Sequence, residues 1–268
     1  MKNKLNNFYL LILISYLTLI LGFLFNENIT SGATDWPHVS KMITRFAENF
    51  QNYLPVYENR HSPLLYIILS GFKKAGLNFE SIRFLYLHVN LITLFFMFKC
   101  IKIKYPNLKD FTILFLSISV ILLSPNLRTA SYWLLPYSLG FLFLVIFFYY
   151  SLKYLNLKSS DNNEIKYLLL SLFFLALSSY ISPNFCLFII YLFYIFLKKE
   201  DKKKNSFLII FLISLILALP ALYYTFIYNP FFIFNNTVAN TVNETLRYNF
   251  SNKFVIISTI IFFHLFPF

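Results

Sequence analysis

Charged residues are scarce in this sequence. They make up only 13% of its 268 residues, too few to clothe a soluble protein of this size in water-facing side chains. Cysteine is scarcer still. Cys100 and Cys186 both border apolar segments without a CxxC or metal-ligand spacing, which argues against a disulfide framework and against a zinc site. The long apolar runs also lack ionisable residues, with little beyond Ser, Thr, His88 and Asn90 inside them. Transport through the bilayer favours polar groups near the midplane, so a transporter fits this pattern poorly. What remains is 58% hydrophobic. That matches about eight membrane spans of about 20 residues each.

The net charge of +12 would suggest nucleic acid as the partner of a soluble chain. Here the lysines sit in short runs between apolar segments, the pattern of cytoplasmic loops under the positive-inside rule. Lys99, Lys102, Lys104 and Lys109 form one such loop; Lys153, Lys158 and Lys166 form a second; Lys198, Lys199 and Lys202 to Lys204 form a third. The charge is therefore read as topology, with the lipid bilayer as partner and no nucleic acid.

Placing the lysine loops on the side of the N-terminus gives spans over about 8–25, 82–98, 111–124, 132–150, 167–181, 185–197, 207–228 and 254–268. Ser124-Pro125-Asn126 and Ser182-Pro183-Asn184 read as tips of outward hairpins, because proline removes a backbone donor and pushes its predecessor out of the helical region. The apolar stretch 63–72 is too short to cross and is read as part of an interfacial helix over Ser62–Gly76. The expected fold is an all-α polytopic transmembrane bundle, one membrane domain over 1–268, with an outer-face loop (26–81) carrying short juxtamembrane helices. The apolar run that stops at Phe268 reads as the end of a fragment of something longer.

The outer loop holds the most polar stretch, with Asp35, Glu48 and Glu58 among Trp36, Pro37, Tyr53 and Tyr57. Transfer of a group to a hydroxyl or amine needs a carboxylate to take a proton or hold a metal, and donors to stabilise charge on the leaving group. Asp35 suits the first task, while Arg60, His61 and Arg128 suit the second, and Glu58 is a candidate second carboxylate. Each also has a plain structural reading. Asp35 would serve as a helix N-cap, His61 as a solvated turn residue, and Arg128 as an interface anchor. His88 and His264, each alone among aromatics, read as packing residues.

The order of Asp35 shortly after the first span, His61-Ser62-Pro63-Leu64-Leu65-Tyr66, Lys73-Lys74-Ala75-Gly76-Leu77, Ser81-Ile82-Arg83 and Ser124-Pro125-Asn126-Leu127-Arg128 resembles the GT-C membrane glycosyltransferases. The likeness is greatest to the protein O-mannosyltransferase and aminoarabinose transferase group and covers roughly residues 1 to 200. Two positions depart from that pattern: Ser62 replaces the first proline of the Pro-Pro-Leu motif, and Trp36 replaces a paired acid. The resemblance implies transfer of a sugar from a polyprenyl-phosphate carrier to a glycan, lipid or protein acceptor on the outer face, with Asp35 at the reaction centre. It implies a bacterial inner (plasma) membrane and leaves a divalent cation open as cofactor. A polysaccharide polymerase or flippase of cell-envelope glycan assembly is the rival reading.

Overall fold

The computed structural model describes residues 2–28, 32–57, 62–157, 164–199 and 204–229. Among these residues there is no strand, and the chain folds as an all-α bundle. Its helices are α1 (Lys2–Leu24), α2 (Gly32–Tyr53), α3 (Leu64–Lys74), α4 (Phe79–Leu87), α5 (Val89–Lys104), α6 (Asp110–Leu123), α7 (Pro125–Tyr132), α8 (Pro136–Asn156), α9 (Glu164–Ile181), α10 (Phe188–Lys199) and α11 (Lys204–Tyr223).

Among the described residues, four helical stretches are long and apolar enough to cross a membrane: Phe79–Lys104, formed by α4 running into α5, then α8, α9 and Ile210–Tyr228. The pair α6 and α7 makes a fifth if its 70° bend is counted as one broken span, and Tyr9–Leu24 and Pro183–Tyr194 are shorter apolar helices. The expected span 254–268 lies outside the described residues. Many of these helices expose apolar faces. On α1, Leu10, Leu13, Ile14, Leu17, Leu21 and Leu24 are all exposed at helical spacing, as a lipid-facing stripe requires.

Contacts between helices fix their relative directions. Leu11 and Ile12 of α1 pack with Ile118 and Ile121 of α6, and Glu27 just beyond α1 meets Arg128 of α7, so α1 and α6 run the same way. α5 turns back into α6, where Lys102 pairs with Asp110. α9 runs against α8: Tyr150 lies 6.0 Å from Tyr167 at one end, and Ser178 Oγ donates to Gly140 O at the other. The helix ends that carry Lys102, Lys104, Lys109, Lys153 and Lys166 therefore share one end of the bundle, called here the lysine end. The opposite, loop end gathers the end of α1, α2, α3, the start of α4, and α7. Tyr224 and Asn229 also reach that end, both donating to Leu54 O.

Two expectations need correction. Ser124-Pro125-Asn126 is not a simple hairpin tip, since it starts a further helix, α7. The Ser124 side chain accepts from Leu127 N at 3.4 Å and Pro125 holds the first helical position, where its missing N–H costs nothing. The span expected from 132 accordingly starts at Pro136, with Tyr132 ending α7. The second tip is likewise a tight 3-10 turn, Pro183–Leu187, so α10 begins at Phe188 rather than at 185.

The helix expected over 62–76 is α3, shorter at both ends. It stops because Gly76 adopts φ +91, letting Gly76 N donate to Lys73 O and Leu77 N to Phe72 O. α2 covers it as a long amphipathic helix. Val39, Met42, Ile43 and Phe46, spaced i, i+3, i+4, i+7, are buried against Leu65, Tyr66 and Leu69, while Lys41, Arg45 and Glu48 face outward.

Candidate functional site

The site grows from the way α1 ends. Asn26 takes a left-handed conformation (φ 49), which Asn tolerates better than most residues. Asn26 N then donates to Phe23 O at 3.0 Å and Glu27 N to Gly22 O at 2.8 Å, the paired bonds of a Schellman cap. This cap turns Glu27 back over the bundle, where its Oε2 accepts from Arg128 Nη2 in an ion pair. Glu27 Oε1 is buried without a hydrogen-bond partner among the described residues. Gly22 leaves the room for this pair. A Cβ there would overlap the Tyr132 hydroxyl and lie 2.6 Å from Glu27 Oε2.

Arg83, buried at 9% exposure, ties the same residues together from α4. Its Nε donates to Tyr132 O at 2.7 Å and its Nη2 to Asn26 Oδ1 at 3.1 Å. The guanidinium lies 4.1 Å from the Trp133 ring centre and 5.5 Å from that of Trp36, while Trp133 Nε1 donates to Glu27 O at 3.1 Å. Beyond Trp133 the chain turns at Leu134, a buried leucine held at φ 57. Such a backbone costs about 1–2 kcal/mol and persists because its neighbours dictate it. The Tyr86 hydroxyl donates to Leu135 O at 2.8 Å and accepts from Leu139 N at 3.2 Å, clamping this turn.

Asp35 stands exposed in the first turn of α2. It is not the N-cap, since Asn28 Oδ1 accepts from Ala33 N at 3.1 Å and serves that end of the helix. Its neighbour Trp36 packs edge-on to Phe79 at 5.4 Å and tilted against Trp133 at 6.1 Å. Asp35 is also close to Tyr66: burial first, then the Asp35 carboxylate, pushes the Tyr66 hydroxyl well above its usual range. The structure thus packs α2, which carries Asp35, over α3, which carries Tyr66, and sets the start of α2 beside α7, which carries Arg128. Glu58, Arg60 and His61 lie outside the described residues.

Sequence reasoning passed over Glu27 and Arg83. The signal for Glu27 was an Asn ending an apolar run with an acid directly after it, the pattern of a left-handed cap. No comparable local signal marks Arg83, whose partners lie near residues 26 and 132. His88 is a packing residue: its Nδ1 donates to Phe84 O (2.9 Å), leaving Nε2 to accept from the Tyr16 hydroxyl (3.2 Å). His264 lies outside the described residues. Among those residues, no three His, Cys, Asp or Glu side chains gather as metal ligands. Of the carboxylates at this site, Glu27 is held by Arg128 and Asp35 has no acidic companion among the described residues. Compared with protein-family models, with curated proteins and with solved structures, the chain matches none.

Proposed function

We propose that this membrane protein is a glycosyltransferase that moves a sugar from a polyprenyl-phosphate carrier to an acceptor on the outer face. In this reading the loop end faces outward and the lysine end, with the N-terminus, faces the cytoplasm of a bacterial inner membrane. One observation supports it: an exposed carboxylate, Asp35, stands at the start of α2, the helix whose apolar face packs over α3 and its Leu64-Leu65-Tyr66 start. Two stretches that carry the sequence resemblance thereby lie on helices that pack together.

The chemistry asked of these residues is modest. The acceptor oxygen or nitrogen attacks the anomeric carbon and its proton passes to the Asp35 carboxylate. The bond from the anomeric carbon to the phosphate oxygen breaks, and its electron pair leaves with the lipid phosphate. Arg60 and His61 would stabilise that charge, with Glu58 as a second carboxylate beside them. Arg128 would join them only by sharing its guanidinium with Glu27, since Glu27 already holds it.

The test is Asp35→Asn in the full-length protein, assayed for sugar transfer from a polyprenyl-phosphate donor in membranes. The expected result is loss of transfer with unchanged expression and membrane insertion. Unchanged transfer would remove Asp35 from the site. Glycan export without any sugar transfer by either protein would favour the flippase reading.

A further inference from the structure

Arg83 takes no part in the transfer chemistry above, and its surroundings point to a ligand of their own. No described carboxylate lies within ion-pairing distance of it: the Glu80 carboxylate acts on it only from farther off, and its direct partners are a carbonyl, an amide oxygen and aromatic faces. Such groups solvate a buried cation without neutralising it. Its Nη1 has no hydrogen-bond partner among the described residues, and the side chain lines an open cleft of about 540 Å³ between the end of α1 and the start of α4. That volume lies within the range of small-molecule sites.

The walls of the cleft narrow the choice of ligand. Phe23, Leu24 and Leu85 line it, and both leucines are exposed at the edge of the apolar band. Glu80 and Ser81, exposed residues three and two positions before Arg83, form its polar rim. A simple anion drawn to Arg83 would be repelled by Glu80. A headgroup carrying both signs would satisfy both residues, because positions three apart on a helix are neighbours.

We propose that this cleft binds the headgroup of a phosphoethanolamine-type membrane lipid, with its phosphate on Arg83 and the Ser81 hydroxyl, its ammonium on Glu80, and its acyl chains along Leu24 and Leu85. The phosphate supplies the direct counter-charge that the largely buried guanidinium lacks, through charge-assisted bonds. The primary amine donates hydrogen bonds to Glu80, which a quaternary amine cannot do. This inference does not rest on the transferase reading and stands or falls separately from it.

The chain's two tryptophans, Trp36 and Trp133, both pack on Arg83, so their fluorescence reports on the cleft. Full-length protein in phosphatidylcholine nanodiscs would be titrated with phosphatidylethanolamine brominated on its acyl chains, which quenches nearby tryptophan. Brominated phosphatidylglycerol, brominated phosphatidylcholine and soluble glycerophosphoethanolamine are the comparison arms. The expected result is half-quenching at an ethanolamine-lipid fraction about fivefold below that of either other lipid, the worth of one exposed charge pair. Glu80→Gln should erase the preference over phosphatidylglycerol, and Ser81→Phe, which fills the mouth without touching the Arg83 bonds, should erase selective quenching at an unchanged Tm. Equal quenching by all three lipids, or an unaltered preference in Glu80→Gln, would overturn the proposal. Competition by the soluble headgroup at the same concentration as the lipid would overturn its lipid part.

Discussion

Each end of the bundle holds an ion pair, and the two are built differently. At the lysine end Lys102 pairs with Asp110 across a short turn, with side chains 42% and 58% exposed. At the loop end Arg128 pairs with Glu27, 101 residues away in sequence, with side chains 20% and 15% exposed. The first is a hydrated contact between two exposed side chains. The second is enclosed by Tyr132 and Trp133, and one of its carboxylate oxygens has no other described partner. The exposed pair at the lysine end therefore contributes little to local structure, whereas the enclosed pair at the other end holds two distant stretches together.

The contrast can be broken by mutation. Arg128→Ala should cause the largest loss, about 3 kcal/mol, the low end for a buried pair because both partners retain some exposure. Thermal unfolding in detergent would show it as a lowered Tm, and Arg128→Ala combined with Glu27→Gln should recover part of the loss. Equal stability of the single mutant and the wild type would mean that the pair is as weak as the one at the lysine end.

Gly22→Ala should follow, at about 1–3 kcal/mol, because its methyl group overlaps Tyr132 and crowds Glu27. Asn26→Ala should cost about 1–2 kcal/mol from the left-handed backbone, plus the bond from Arg83. Asn26→Gly separates these contributions, since it keeps the backbone and loses only the side chain. Lys102→Ala should come last, below about 1 kcal/mol, with an effect that fades at high salt. A loss there as large as that of Arg128→Ala would erase the distinction between the two ends.

Much of the architecture was legible because hydropathy and charge are local signals. A short helix over 63–72 was expected from its length and from the parity of the spans, and α3 is the helix found there. The two prolines read as breaks are breaks, but each also starts a new turn or helix, because a proline that ends one helix suits the first position of the next. Trp36 marked a departure from the family pattern, yet in the fold it packs on Trp133, Phe79 and Arg83. Asp35 was visible as a lone acid after the first span. Its nearness to Tyr66 depends on α2 folding over α3, which the amphipathic spacing of Val39, Met42, Ile43 and Phe46 encodes without naming the partner.

The sequence by itself determined that the chain lives in a membrane, that it is helical, and which helix ends carry lysine. Those properties are sums over neighbouring residues, and a sum needs no fold. Only the tertiary structure decided that Glu27 meets Arg128, that Arg83 is enclosed by aromatic rings without a carboxylate, and that a cleft opens beside it. The partners lie about 50 to 100 residues apart along the chain. Helix packing brings them together, and local periodicity carries no record of it.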